Sequence, residues 1–393
     1  MKFQPGSFEA RVRRDYRSAA FANGAVAQPA IKYSGKPRIM PLGSQAFTLG
    51  GPDLKYRLEK VGYLEELIFR VSGQYDITTA TLVPLPRAPR NILRSVRLSP
   101  PGRQKILDHG AFSMDIWDQV MLDTARGRGR RDSRLDGLDA QTGRSAVLET
   151  FPLGVANDQA FDLWYRQRLT RGALDMRGII PLHNDQDTTL YVTPNTEANL
   201  ITVVGNWAQD SLLCEVWQVT RDEVPAVPGV QPFPTGWVQT FEEFEKAPLI
   251  VGQNTITIEP DGDNFILGVY VAVALNDLLT TSDDIDGISF EVDSSDVIEP
   301  DLDPRVWYFR TKRELGHYLP DGVLYFDFDR DVDTDGALSL IDPAGDYTPS
   351  IGRWLSTRGV KQIKVKVRIP VGTTLGASPH AIVGVRRLRP VGA

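Results

Sequence analysis

Residues 361–370 read KQIKVKVRIP, and this stretch indicates most directly how the chain folds. Apolar side chains occupy every second position and basic side chains lie between them: Ile363, Val365, Val367 and Ile369 alternate with Lys364, Lys366 and Arg368. Because successive side chains of a β-strand point to opposite faces, this alternation predicts a strand with one buried face and one solvated face.

Further strand-like runs occur along the chain, most of them bounded by Gly, Pro, Asn or Asp. They are EELIFRVSG (65–73), ANLITVVGNW (198–207), LLCEVWQV (212–219), NTITIEP (254–260), VLYFDF (323–328) and AIVGVRRL (381–388). The longest apolar run, FILGVYVAVAL (265–275), is far shorter than the ~20 residues of a membrane-spanning helix and predicts a buried strand. Many short strands without strand–helix alternation favour an all-β sandwich or jelly roll.

Helical signals are few. Apolar residues recur at helical spacing in residues 6–20, in AFSMDIWDQVML (111–122) and in WVQTFEEFEK (237–246), which predicts three short amphipathic helices. Residues 225–234, PAVPGVQPFP, contain four prolines and predict a stiff connection between two β units. Residues 124–144 are polar and rich in Arg and Gly, which is typical of a long loop.

This organisation predicts four segments: a basic arm (1–40), a first β unit (41–224), the Pro-rich linker (225–234) and a second β unit (235–393). We find no sequence repeat between the two units. The single cysteine, Cys214, excludes an intramolecular disulfide and fits a reducing compartment. The first residues lack the apolar core of a signal peptide.

Charge is distributed unevenly, although the net value is only −6. Residues 1–150 hold 24 Lys and Arg against 15 Asp and Glu, whereas the remainder holds 20 against 35. This asymmetry suggests that one end of the molecule faces an anionic surface.

Motifs for catalysis are weak. The sequence has no Gly-rich phosphate loop, no HExxH and no G-x-S-x-G, so we predict that the protein is not an enzyme and has no cofactor. His183, Asp185 and Asp187 in HNDQD could ligate a metal, but a polar turn before a strand is the simpler interpretation.

Three carboxylates stand close together in FEEFEK: Glu242, Glu243 and Glu245. A pair of carboxylates could serve a glycosidase. The solvated face of a short helix is the plainer alternative.

Two basic segments could contact partners. The loop RGRGRR (126–131) resembles a nucleic-acid or anionic-surface patch but lacks the aromatic side chains that stack on bases, which argues against single-strand nucleic-acid binding. A solvated loop, or one that orders against acidic neighbours, is the alternative, and we predict no sequence-specific nucleic-acid partner. In the N-terminal arm, Arg11, Arg13, Arg14 and Arg17 surround an apolar stripe. This pattern suits a helix lying on anionic lipid or on a neighbouring subunit, and packing on its own domain is the alternative.

Residues 331–342, DVDTDGALSLID, match the ligand spacing of a calcium-binding loop, with Asp331, Asp333, Asp335 and Asp342 as the carboxylates. An EF-hand requires flanking helices, whereas here VLYFDF precedes the loop and the alternating ALSLI follows Gly336. We therefore interpret the stretch as an Asp- and Gly-rich β-hairpin turn, in which a calcium ion could relieve carboxylate repulsion.

Immediately upstream, DPRVWYFRTKRELGHYLPDGVLYFDFDRD (303–331) resembles the second jelly roll of tectivirus-type major capsid proteins, the double jelly-roll proteins of tailless, membrane-containing bacteriophages. VGYLEELIFRVSGQYDITT followed by APRNILRSVRLSPPGRQK is similar to that family's opening strands. RGIIPLHNDQDTTLYVTPNTEANLITVVG is similar to the end of its first barrel.

This resemblance implies two tandem eight-stranded jelly rolls and a homotrimer with a pseudo-hexagonal outline. Such trimers would tile an icosahedral virion shell around a membrane and double-stranded DNA, contacting neighbouring capsomers, penton and minor capsid proteins. The N-terminal arm would lie toward the internal membrane, and assembly would take place in the host cytoplasm. The alternatives are a calcium-dependent two-domain adhesin or receptor-binding protein and, more remotely, a glycan-cleaving β-sandwich enzyme.

Overall fold

The computed structural model describes the chain as an array of β-strands. The described residues are 37–77, 88, 90–100, 105–121, 156–170, 177–182, 187–201, 207–222, 236–262, 264–275, 284–293, 296–315, 319–320, 322–329 and 354–391.

The first half of the described chain forms nine strands and one α-helix. The strands are β1 (Arg38–Phe47), β2 (Leu54–Arg57), β3 (Tyr63–Ile77), β4 (Leu93–Leu98), β5 (Leu107–His109), β6 (Ala156–Arg168), β7 (Ile180–Pro181), β8 (Thr189–Pro194) and β9 (Trp207–Arg221). Helix α1 (Ala111–Met121) lies between β5 and β6. Sheet 1 has the order β1-β9-β3-β6 with β7 beside β3, and β5-β4-β8-β2 form part of sheet 2. These two layers enclose one core, the first barrel.

The second half repeats this pattern with nine more strands. They are β10 (Trp237–Lys246), β11 (Gly252–Ile258), β12 (Phe265–Ala274), β13 (Gly287–Val292), β14 (Asp296–Leu302), β15 (Val323–Asp327), β16 (Leu355–Ser356), β17 (Ile363–Ile369) and β18 (His380–Pro390). Helix α2 (Pro304–Leu315) lies between β14 and β15. The remainder of sheet 2 has the order β15-β12-β18-β10 with β16 beside β12, and sheet 3 has the order β11-β17-β13-β14. Together they form the second barrel.

The two barrels are built on one plan, although their sequences show no repeat. Each strand of the first barrel corresponds to the strand nine places later: β1-β9-β3-β6 matches β10-β18-β12-β15, and β5-β4-β8-β2 matches β14-β13-β17-β11. The short strands agree as well, since β7 pairs with β3 and β16 pairs with β12. Each barrel therefore has two four-stranded layers, and the double jelly roll predicted from the resemblance is confirmed.

Sheet 2 runs through both barrels. Strand β5 pairs in parallel with β10, so that Leu107 lies opposite Phe241 and Asp108 opposite Glu242. The Phe241 amide also donates to the Ile106 carbonyl at 2.9 Å. This short junction joins the two barrels along one continuous sheet.

Strand periodicity explains the second core. In β17 the apolar residues at alternate positions are buried while the basic residues between them are partly or fully exposed, as the alternation predicts. Strand β12 is apolar at every position because both of its faces are covered. Val269 and Val271 belong to the second core, whereas Tyr270 and Ala272 belong to the first.

Helix α1 is confirmed where the sequence predicts it, and nine of its eleven residues are buried. A helix that is buried on nearly all sides is enclosed by other elements. Here α1 contacts β6 of the first barrel and packs on sheet 2 of the second. The helix therefore fills the space between the barrels.

The predicted helix over Trp237–Lys246 is wrong, because this segment is strand β10. Trp237, Phe241 and Phe244 recur at helical spacing, but pairing with β18 along ten residues overrides that local pattern. Part of the strand predicted over 198–207 is also wrong, since Glu197–Asn199 form a turn of 3-10 helix. The linker at 225–234 lies outside the described residues, so the domain boundaries stay a prediction.

Candidate functional site

Two sets of predicted site residues lie outside the described part of the chain. They are the carboxylates Asp331, Asp333, Asp335 and Asp342 and the arginines Arg11, Arg13, Arg14 and Arg17. The loop at 124–144 lies outside it too. The calcium turn and the membrane-facing arm therefore stay predictions.

The carboxylates of FEEFEK lie on a strand and not on a helix. Glu242 pairs with Arg389 at 2.8 Å and with Arg387 at 3.5 Å. Glu243 accepts a hydrogen bond from the Gly110 amide at 3.2 Å. Adjacent residues of a strand point to opposite faces, so these two carboxylates do not face each other across a groove. Both instead link β10 to neighbouring segments.

Asp187, the last residue of HNDQD, lies just before β8. His183 and Asp185 lie outside the described residues, so the turn interpretation of this motif stays a prediction. Asp187 pairs with Lys60 at 2.8 Å and with Arg57 at 2.5 Å. Hydrogen bonds from Lys60 and Arg57 hold the pKa of this carboxyl below its ordinary value. Within the described ranges, no three His, Cys, Asp or Glu side chains gather closely enough to hold a metal ion.

His109 is the last residue of β5, two residues before α1, and is buried. Its Nδ1 lies 3.1 Å from the Gly110 carbonyl oxygen, and its ring lies 6.0 Å from that of Phe241. Burial lowers the pKa of His109 to about 4, because a charged imidazolium would lose its hydration there. The ring is therefore neutral at pH 7 and belongs to the packing at the barrel junction.

Three arginines of β18 are buried, although their sequence would suit a basic surface patch. Arg386 donates to Gln239 at 2.8 Å, and Arg387 donates to the Glu259 carbonyl at 2.7 Å. Arg389 pairs with Glu242. Buried charges require partners of this kind, so these arginines tie β18 to its surroundings and do not form an anion-binding surface.

The outer face of sheet 2 around Tyr270 and Tyr325, which we call the covered face, lies under α1 within the chain. Trp117 of α1 packs edge-on against Tyr270 of β12, with ring centroids 5.3 Å apart, and against Tyr325 of β15 at 6.3 Å. Ser113 and the Tyr270 hydroxyl form a hydrogen bond of 2.7 Å. A Cβ at Gly384 of β18 would lie 2.0 Å from the Tyr270 ring, so glycine leaves the room that the tyrosine needs.

The corresponding outer face of sheet 1 carries a half-exposed aromatic patch. Trp164 of β6 and Trp217 of β9 stack with ring centroids 5.6 Å apart and an interplanar angle of 17°. Arg70 of β3 lies 5.5 Å from the Trp164 centroid and donates to Asp162 and Glu215 at 2.9 Å each. Hydrogen bonding to Asp162, aided by Glu215, holds the pKa of Arg70 above its ordinary value. We call this surface the tryptophan face.

Helix α2 carries a second exposed apolar surface. On its inner side Trp307 packs against Phe326, with ring centroids 4.9 Å apart. On its outer side Val306 is 50% exposed and Phe309 is 66% exposed. Residues three apart lie on one face of a helix, so these two side chains form a single patch. Arg305 at the start of the helix is also exposed.

Sequence reasoning missed α2, although its start carries a recognisable signal. Asp303 accepts a hydrogen bond from the Arg305 amide at 2.8 Å, and Pro304 occupies the first helical position. Asp before Pro is a common helix start. The tryptophan face was missed for another reason, because its three strands are far apart in sequence. No helix in the described residues combines the length and apolar character needed to span a membrane.

No known protein-family model matches the sequence, and no curated protein matches it. The structure, however, is similar to solved viral capsid structures. It matches the MCP, or major capsid protein, of STIV with a TM-score of 0.62 at 10% identity, over 91% of this chain and 98% of that chain.

It also matches a chain in the atomic structure of Sulfolobus Turreted Icosahedral Virus, with a TM-score of 0.60 at 10% identity, over 91% of this chain and 92% of the other. A chain of the PBCV-1 virus capsid matches with a TM-score of 0.54 at 10% identity, over 92% and 96%. The chain therefore has the double jelly-roll fold of viral major capsid proteins.

Proposed function

We propose that this chain is a structural protein of a virion, a major capsid protein whose trimers form capsomers. The observation that carries the proposal is the internal repeat of two barrels joined by one sheet, in a fold shared over nine tenths of the chain with the STIV MCP. Three chains of two similar barrels provide six similar units, which suits a capsomer of pseudo-hexagonal outline. The described residues offer packed surfaces and no cluster for metal chemistry.

The finer parts of the proposal rest on the sequence. The shell would be icosahedral and would surround a membrane and a double-stranded DNA genome, with penton and minor capsid proteins as further partners. The arginines of the N-terminal arm would lie against the membrane or neighbouring capsomers, and each could contribute about 1 kcal/mol near anionic lipid. Assembly would proceed in the host cytoplasm.

The test is the solution mass of the purified chain by light scattering, followed by electron microscopy of the same peak. We expect about three times the 43.7 kDa chain mass and particles of hexagonal outline. A monomer whose melting temperature rises with calcium would instead favour the adhesin with an occupied Asp331–Asp342 turn. A monomer indifferent to calcium would contradict both functions.

The arm is tested separately by deleting residues 1–20. We expect the shortened chain to remain a folded trimer while shell assembly is impaired. Loss of the folded trimer would show that the arm is part of the domain core and not an assembly element.

A further inference from the structure

We infer that α2 of one chain packs on the tryptophan face of a second copy, in the way that α1 packs on sheet 2 within the chain. This inference rests on the proposed trimeric capsomer and specifies which surfaces build it. It also names the occupant of two apolar surfaces that the described chain leaves exposed.

The internal repeat gives the first argument. Within the chain, strand β5 is followed by α1. Strand β5 pairs with β10 of the second barrel, and α1 packs on the outer face of that barrel. The counterpart of β5 is β14, which leads into α2. The counterpart of β10 is β1, which begins the first barrel. Within the described pairings the β5–β10 junction has no such counterpart, because β14 and β1 are both end strands of their sheets.

A second copy supplies the missing counterpart. Suppose that the first barrel of a second copy packs against the second barrel of this chain, in the same way that the second barrel packs against the first within one chain. Strand β1 of that copy then lies beside β14 of this chain. The tryptophan face of that copy then lies under α2. Because the surfaces that meet are different, the contact is heterologous, and such contacts form a closed ring when the rotation permits. Three copies would contribute six barrels to the ring.

The side chains on the two faces give an independent argument. The covered face presents Tyr270 and Tyr325 on β12 and β15. The tryptophan face presents Arg70 and Trp164 on the corresponding strands β3 and β6, with Trp217 on β9. A large aromatic side chain therefore stands on β6 as it does on its counterpart β15, but Trp164 is 50% exposed where Tyr325 is buried.

Helices α1 and α2 also carry their contact residues at corresponding positions. Ser113 is the third residue of α1 and contacts the covered face, and Val306 is the third residue of α2. Phe309 follows one turn later and is 66% exposed, so it extends the apolar patch that Val306 begins. Aromatic and arginine side chains are those most enriched at the centres of protein interfaces.

Charge is also compatible with this contact. The tryptophan face carries Asp162 and Glu215 around its single Arg70. Helix α2 begins at Pro304, and its second residue, Arg305, is exposed; the exposed Asp303 directly precedes the helix. In the proposed contact the Arg305 side chain would meet Asp162 and Glu215 at the edge of the tryptophan face.

The decisive experiment is disulfide trapping in the full-length chain with Phe309→Cys and Trp164→Cys combined. The native Cys214 is buried and does not compete. After oxidation with copper phenanthroline, non-reducing electrophoresis should show covalent dimers and trimers. Either substitution alone should give monomers, because a heterologous contact never brings two copies of one residue together. Val371→Cys combined with Trp164→Cys is the matched control, since Val371 is 93% exposed and lies outside the proposed contact.

A second measurement covers the case in which the cysteines weaken the contact. Phe309→Glu should abolish the trimer in light scattering, whereas Val371→Glu should leave it, and both should keep the circular dichroism of the native chain. A wild-type trimer that neither cross-links through the first pair nor dissociates on Phe309→Glu would overturn this inference and leave the capsomer proposal standing. A monomeric wild type would overturn both.

Discussion

The covered face of the second barrel and the tryptophan face of the first differ in what lies on them. Both are outer sheet faces on corresponding strands, and both carry large aromatic side chains. In the covered face, Trp117 and Ser113 of α1 reach Tyr270 directly. On the tryptophan face, Trp164 stacks on Trp217 and remains half exposed.

The difference teaches that one surface type can serve folding or association, depending on whether its partner belongs to the same chain. Burying an aromatic side chain contributes a few kcal/mol wherever it occurs. On the covered face that contribution is part of the free energy of folding. On the tryptophan face it is available to a second copy. Substitutions on the two faces should therefore affect different measurements.

The largest effect is expected for Trp117→Ala. This side chain is fully buried and touches three aromatic rings, so its removal leaves a cavity between the barrels. The free energy of unfolding should fall by about 3–5 kcal/mol, measured by urea denaturation. Trp164→Ala is the matched control on the other face; measured in the dissociated Phe309→Glu chain, it should change the free energy of unfolding by less than about 1 kcal/mol. Equal losses for the two variants would contradict the distinction between the faces.

The next largest effect is a pH dependence of the free energy of unfolding, caused by His109 at the barrel junction. The pKa of His109 is about 4 in the folded chain and ordinarily near 6.5, so the unfolded chain binds more protons between these values. The contribution of neutral His109 to the free energy of unfolding is fully present above pH 6.5. It is lost as the pH falls toward 4, and the loss is on the order of 3 kcal/mol.

The measurement is urea unfolding between pH 7 and pH 5, where ordinary carboxyl groups stay largely ionised. We expect the stability of the wild type to fall over this window and that of His109→Gln to fall less steeply. His380→Gln serves as the control, because His380 lies outside the barrel junction. Parallel slopes for the wild type and His109→Gln would show that His109 is accessible to protons in the folded chain.

A smaller effect is expected for the hydrogen bond between α1 and β12. Ser113→Ala leaves the Tyr270 hydroxyl in an apolar site without that partner, which should destabilise the chain by about 1–3 kcal/mol. Combining it with Tyr270→Phe removes both polar groups. The double variant should therefore lose less stability than the two single variants added together. Strict additivity in urea denaturation would mean that the two groups do not interact.

The smallest effect on folding is expected on the tryptophan face. Arg70→Met removes two partly exposed ion pairs, and such pairs contribute at most about 1 kcal/mol. The melting temperature should therefore change little, while trimer mass in light scattering should become sensitive to dilution. Large destabilisation of the monomer with an unchanged trimer would reverse the roles assigned to the two faces.

Much of the fold could be predicted from local sequence. The alternation in β17 and the apolar run of β12 identify strands because both periodicities are properties of consecutive residues. Helix α1 was predicted for the same reason. The resemblance of residues 303–331 to tectivirus-type capsid proteins then supplied the arrangement into two jelly rolls, which strand patterns alone left open.

The candidate surfaces could not be predicted in this way. Trp164 and Trp217 are separated by more than fifty residues, and only the antiparallel pairing of β6, β3 and β9 brings them together. Arg386, Arg387 and Arg389 lie close together in β18, yet they are buried, and their partners come from distant segments. The apolar residues of β10 recur at helical spacing and led to a wrong helix prediction for a related reason. Pairing of this segment with β18 outweighs its local propensity.

The sequence by itself determined which segments are strands with one solvent-exposed face, which strands are buried on both faces, and where α1 forms. It did so because side-chain periodicity is set by backbone geometry within a few residues. Only the tertiary structure decided that the barrels repeat one plan, that α1 joins them, and that the tryptophan face and α2 stay exposed. These features depend on contacts between residues far apart in the chain, and such contacts leave no period in the sequence.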